Sequence, residues 1–187
     1  MPLEYPTRAY LLGLARTTIA ARLGRATVAD PRGGGDPALQ EKRASFVTLK
    51  RQGALRGCIG VLEAVRPLIE DVSHNAQAAA FQDPRFKPLQ ELELEDLHIE
   101  ISVLSPPQPL VPGSRDELLR HLSTTRTGLI LQEGSRRATF LPAVWESLPD
   151  AEDFLGHLMQ KAGLSARHWS PTLRLQTYLT ESFSESS

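Results

Sequence analysis

Phe46-Val47-Thr48-Leu49-Lys50-Arg51-Gln52-Gly53-Ala54-Leu55-Arg56-Gly57-Cys58-Ile59-Gly60 is the stretch on which the reading of the fold turns. Residues 46–50 are rich in β-branched and apolar side chains. Arg51 to Ala54 supply a short glycine-containing loop, and a second extended run follows through Cys58, so the segment predicts a β-hairpin. Side chains alternate between faces along a strand, which puts Arg56 and Cys58 on one face and Leu55, Ile59 and Val61 on the other. Cys58 is the only cysteine of the chain. Two readings of it stand. It is either a small hydrophobe that fills core space, or a nucleophile whose thiolate form is favoured by the Arg56 guanidinium. On the second reading Gly57 and Gly60 leave room for a ligand or another backbone to come close.

The elements on either side extend the pattern. A helix is expected from about Thr7 to Leu23, with Leu11, Ala15, Ile19 and Leu23 on one stripe. A flexible connection containing Pro31 and Gly33-Gly34-Gly35 leads from it to the hairpin. After the hairpin, Leu68, Ile69, Val72, Ala76, Ala79 and Ala80 recur at helical spacing, predicting a helix from about Arg66 to Phe81. Residues 97–104 then alternate. Leu97, Ile99, Ile101 and Val103 take one face and His98, Glu100 and Ser102 the other, as in a half-buried strand, which Pro106-Pro107-Gln108-Pro109 ends.

The second half repeats this order. Ser114 and Glu117 have capping-box spacing and open a helix carrying Leu118, Leu119 and Leu122. Gly128 to Leu131 and Ala138 to Leu141 read as strands joined through Gly134. Asp150 caps a helix with Phe154, Leu155, Leu158 and Ala162 on its stripe, and Lys161 and Gly163 close it. A last strand is expected from Leu173 to Leu179, and residues 181–187 as a mobile polar tail. Both halves read helix, strand, strand, helix, strand. The expectation is an α+β fold in which duplicated units, about 7–104 and 114–180, merge their strands into one sheet within a single domain.

Composition narrows the function classes. The chain has 187 residues, 41% hydrophobic and 23% charged, with a formal net charge of -1, which suits a globular protein and argues against broad binding to nucleic acid. No apolar run reaches the length of a spanning helix, so no membrane partner is expected. A single cysteine points to a reducing, cytoplasmic setting. The histidines at 74, 98, 121, 157 and 168 have no short metal-ligand spacing with Cys58, and no phosphate-cradling glycine motif is present, so no metal or cofactor is expected. Trp145 and Trp169 read as packing anchors.

Several segments in order resemble the AMMECR family, whose bacterial members are called AmmeMemoRadiSam system protein A. They are residues 55–60, Asn75-Ala76 with Ala79-Ala80-Phe81, Asp83-Pro84-Arg85-Phe86, residues 100–105, Phe140-Leu141-Pro142-Ala143-Val144 and Lys161-Ala162-Gly163-Leu164. The resemblance covers roughly residues 10 to 182 and implies a duplicated fold with a barrel-like sheet. It also implies Memo-like and radical-SAM proteins as pathway partners. It delivers no reaction, because the family's activity is not established. One departure is Thr127, where many members are expected to have histidine.

Residue chemistry then names the candidate site. Cys58 and Glu100 are the candidate catalytic pair, thiolate and proton acceptor. Arg56, Gly57, Gly60, Asn75 and Arg85 are the candidate substrate-binding residues, and Arg56, Cys58, Asn75 and Glu100 are expected to form one polar pocket with Arg85 at its margin. The alternative reading of Asp83 and Arg85 is structural, with Asp83 capping a turn and Arg85 pairing with a carboxylate instead of binding substrate. Two functions remain open: a thiol-dependent enzyme acting on a small metabolite or protein, and a non-enzymatic module that binds a ligand or partner.

Overall fold

The computed structural model describes residues 2–25, 27 and 35–185. The expected connection through Pro31, Gly33 and Gly34 lies outside the described residues. The chain divides into two compact units, Met1–Leu104 with Glu181–Ser187, and Ser105–Thr180.

In the first unit, α1 spans Tyr5–Arg22, α2 Pro37–Gln40, β1 Ser45–Arg51, β2 Ala54–Gly60, α3 Leu68–Phe81, β3 Leu97–Leu104 and β8 Thr180–Ser184. Helix α1 has Pro6 as its second residue, where a missing N–H costs nothing in the first turn, and buries Leu11, Leu14, Ala15, Thr18 and Ile19. Helix α3 carries Glu70 and Asp71 in its first turn, where carboxylates suit the positive end of the helix dipole. Its apolar face closes a core with Val47, Leu49, Ile99, Ile101 and Val103. Burying each such side chain contributes about 1.5–3 kcal/mol before entropy is charged against it.

The hairpin forms as expected. Gln52 (φ 51°) and Gly53 (φ 79°) both take the left-handed conformation in the turn, the geometry that matches the twist of paired strands. Strands β1 and β2 pair from Phe46↔Gly60 to Arg51↔Ala54, with a register shift at Leu49/Lys50. Leu49 faces Gly57 and Lys50 faces Leu55, so Arg56 is the extra residue of a β-bulge.

In the second unit, β4 spans Gln108–Leu110, α4 Arg115–Thr125, β5 Gly128–Glu133, β6 Arg136–Phe140, α5 Ala151–Lys161 and β7 Arg174–Tyr178. The Ser114 side chain accepts from the Glu117 amide and that of Asp150 from the Glu152 and Asp153 amides, so both helices begin where their caps predict. Trp145 stacks on Phe154 with ring centroids 3.9 Å apart, in a core with Leu118, Leu122, Leu129, Leu131, Leu158 and Leu175. In chain order the first unit runs α1, α2, β1, β2, α3, β3, with β8 added from the end of the chain, and the second runs β4, α4, β5, β6, α5, β7.

Two expectations need correction. The strands do not join into one barrel-like sheet. They form two four-stranded sheets, ordered β2-β1-β3-β8 and β4-β7-β5-β6. Each three-stranded set takes a fourth strand, β8 on β3 and β4 on β7, and backbone pairing is completed on two separate ladders. Nor is the segment after Thr180 a mobile tail as far as residue 185. Ser182 Oγ lies 2.8 Å from Ser102 Oγ and the Glu185 amide donates to the Ile99 carbonyl at 3.1 Å. The Glu185 carboxylate accepts from Arg16 Nε at 2.6 Å, and that of Glu181 from the Leu3 amide at 2.9 Å. The segment is held by charged side chains and the open edge of β3, neither of which shows as apolar alternation.

Candidate functional site

The sheet of the first unit has two faces. Ser45, Val47 and Leu49 point into the core, so Phe46, Thr48 and Lys50 point away from it. Thr48 pairs with Cys58 on one side and with Glu100 on the other, placing Cys58, Thr48 and Glu100 in one row on the face away from α3. Cys58 and Glu100 are therefore brought to a common face, two strands apart, which is about 9–10 Å of sheet. The Thr48 hydroxyl between them donates to Cys58 Sγ at 3.3 Å. Glu100 is engaged elsewhere, accepting from Lys50 Nζ at 2.8 Å. The thiol itself is half-buried.

The remaining candidates do not assemble around this row. Asn75 is completely buried on α3, on the opposite side of the sheet. Its amide donates to the Ser45 carbonyl at 3.0 Å and to Asp71 Oδ2 at 2.9 Å. Burial pushes the Asp71 carboxyl above its ordinary range, against the hydrogen bonds from Ser45. Gly57 is a packing residue: a Cβ there would lie 2.2 Å from the Ala79 carbonyl oxygen of α3. At Gly60 it would lie 2.3 Å from the Phe46 ring. The space that both glycines leave is filled by the protein itself.

The two arginines are bound to carboxylates. Arg56 donates to Glu93 through Nε at 2.8 Å and Nη2 at 2.9 Å, and to the Lys87 carbonyl at 3.0 Å. Those Arg56 bonds, ahead of the other causes, bring the Glu93 carboxyl down to about 2. Arg85 donates to Asp83 at 2.9 and 2.6 Å and to the Cys58 carbonyl at 3.2 Å, not to Glu100. Asp83 in turn accepts the Cys58 amide at 2.9 Å. The Arg85 hydrogen bonds hold the Asp83 carboxyl well below the usual carboxylate range. Both guanidiniums lie over the Phe86 ring, 5.9 Å (Arg56) and 5.5 Å (Arg85) from its centroid. The Asp83–Arg85 pair thus caps the free edge of β2 at Cys58, a common way of blunting an edge strand.

A built cavity lies in the second unit. A cleft of about 770 Å³ is lined by β4, the following Val111–Gly113 loop, β7, β5 and the loop at 169–171. Arg174 pairs in register with Gln132, and Gln176 with Ile130 and Pro109, so these side chains share one face of the sheet. Trp169, 36% exposed, and Val111, 90% exposed, contribute apolar surface. The loop carrying Trp169 is pinned to β5. Glu133 accepts from Ser170 Oγ at 2.8 Å and from Thr172 Oγ1 at 2.5 Å. These bonds, with that from Thr172 the largest cause, hold the Glu133 carboxyl below its ordinary value. Arg174 and Gln176 have no side-chain hydrogen bond or ion pair with any described residue.

Sequence reading took Trp169 for a packing anchor and missed this cleft. The signal available was the alternation of Arg174 and Gln176 with Leu173, Leu175 and Thr177, but a polar outer face of a strand is ordinary and does not indicate concavity. At the departure noted above, the Thr127 carbonyl accepts the Trp145 indole N–H at 2.9 Å, so this position orders the core through its backbone.

The architecture defines an α+β protein of two four-stranded antiparallel sheets. A family model described as AMMECR1 matches residues 12–183. A protein of Thermococcus gammatolerans is 37% identical over 187 residues, covering 94% of this chain and 89% of its own. Protein MK0488 of Methanopyrus kandleri is 38% identical over 156 residues, covering 79% and 73%. The crystal structure of the uncharacterized protein PH0010 from Pyrococcus horikoshii superposes with a TM-score of 0.87 at 34% identity, covering 98% of this chain and 93% of that one. The chain belongs to the AMMECR1 family. The residues 55–60 that carry the family resemblance have structural roles in this fold: a bulge, a helix contact, a capped edge and a ring contact.

Proposed function

We propose that this chain is a ligand-binding module whose site is the cleft of the second unit. One contrast carries the reading. The charged groups surrounding Cys58 are all paired within the protein, whereas Arg174 in the cleft has no partner among the described residues. A pocket with a small number of unengaged polar groups set among apolar ones is the usual form of a small-molecule site, and the volume falls in the usual range. The composition and single thiol support action in the cytoplasm. The Memo-like and radical-SAM proteins implied by the family resemblance are the partners to test for supplying or consuming the ligand.

The experiment is an amide NMR titration of the labelled protein with a set of small aromatic acids, alcohols and amines. Perturbed resonances are expected at residues 109–113 and 169–176, and the same set is expected in Cys58→Ala. Perturbations centred on Cys58, or binding abolished by Cys58→Ala, would overturn the reading.

A second reading rests on the Thr48 hydroxyl, which donates to Cys58 Sγ at 3.3 Å and so fixes the direction of the sulfur. In this reading Cys58 performs thiol chemistry on the open face of the sheet. Alkylation by iodoacetamide followed against pH tests it; no labelling of the folded protein would exclude it.

A further inference from the structure

We infer that the ligand of the second-unit cleft is an organic anion with a flat apolar body, of which an aromatic carboxylate is the simplest form. This deepens the binding reading above and rests on it. Among the described residues the cleft is lined by one cation, Arg174, and by no carboxylate. The acid next along β5 after Gln132 is Glu133, and its oxygens already accept from Ser170 and Thr172. Arg174 therefore faces the cleft uncompensated. A guanidinium presents paired donors that match a carboxylate, and such a pair strengthens as the bound ligand excludes water.

The rest of the wall decides the body of the ligand. Trp169, Leu110, Val111, Ile130 and Leu173 give it an apolar lining. A bare inorganic anion would leave that surface wet, whereas a flat ring can lie against the Trp169 indole and place its acid group toward Arg174. The Gln132 and Gln176 amides flank this position in the strand register and can donate to the remaining anion oxygens. A cationic ligand is disfavoured because Arg174 would face it with like charge.

The test uses the full chain and two probes of similar shape, 2-naphthoate and 2-naphthalenemethanol. The readout is the indole N–H resonance of Trp169, with Trp145, whose N–H is bonded to the Thr127 carbonyl, as internal reference. Naphthoate is expected to bind at least tenfold more tightly than the alcohol. Arg174→Gln is expected to abolish that difference and Arg174→Lys to keep part of it, while Trp169→Ala, followed through the backbone amides of residues 109–113, is expected to weaken both probes. Equal affinities, or a preference unchanged in Arg174→Gln, would overturn the anion inference while leaving the cleft as a binding site. If neither probe nor any compound of the broader set moves the Trp169 resonance, the cleft reading itself fails.

Discussion

Asp83 holds the main chain of Cys58. Its Oδ2 accepts the Cys58 amide at 2.9 Å while its ion-pair partner Arg85 donates to the Cys58 carbonyl at 3.2 Å. The Asp83-Pro84-Arg85-Phe86 and Leu55–Gly60 segments are therefore one structural device, a clasp on an edge strand. Asp83→Ala removes a buried charge-assisted acceptor and is expected to cost about 2–3 kcal/mol. Asp83→Asn, which keeps one acceptor, should cost less. Chemical denaturation of the three proteins at neutral pH checks this; an Asp83→Ala midpoint equal to the parent's would show the clasp to be ornamental.

Gly57→Ala places a Cβ 2.2 Å from the Ala79 carbonyl oxygen, so α3 must move off the sheet or the helix must bend. A loss of about 3 kcal/mol is expected, at the upper end for overpacking. Gly13→Ala is the control, because nothing lies within 4 Å of a Cβ there and alanine favours the helix. Thermal melts should move in opposite directions for the two variants.

The Arg56–Glu93 pair gives an acid-dependent contribution to stability. The carboxyl stands at about 2 when folded, against an ordinary value of 4.5. A carboxyl depressed by folding stabilises fully above its unfolded value and loses that contribution as the pH falls through the folded one. The contribution is thus complete above 4.5 and disappears between 4.5 and about 2. Denaturation midpoints measured down that range should fall less steeply in Glu93→Gln than in the parent. Identical slopes would mean that the pair adds nothing.

Strand β8 depends on its end. The Glu185 carboxylate takes Arg16 Nε at 2.6 Å and the Ile99 amide at 2.9 Å. Glu185→Ala is expected to cost about 1–2 kcal/mol and to speed hydrogen exchange at Ile99 and Glu185 before the core of β1 is affected. Unchanged exchange at those amides would show that β8 is held by its backbone alone.

Much of the element order was legible in the chain itself. The period of the apolar residues in 68–81 and 97–104, the caps Ser114 and Asp150 and the turn at Gln52-Gly53 are local features. Local backbone preference and the need to bury one stripe act on a few neighbouring residues, so such features can be read without knowing the fold. The family could be read the same way, because the motifs that mark it lie in sequence order. The site could not. Alternation placed Arg56 beside Cys58, but the bulge adds a residue at that point and Glu93, 37 residues away, takes the guanidinium. Asn75 stood at the edge of a helical stripe, yet the close approach of α3 over Gly57 buries it on the far side of the sheet. Whether Arg16, Arg85 and Arg174 meet a partner among the described residues, as the first two do and the third does not, depends on which distant chain segments come together. Tertiary packing alone decided which charges are neutralised, which glycines are filled, where the strand ladders end and where a cleft remains open.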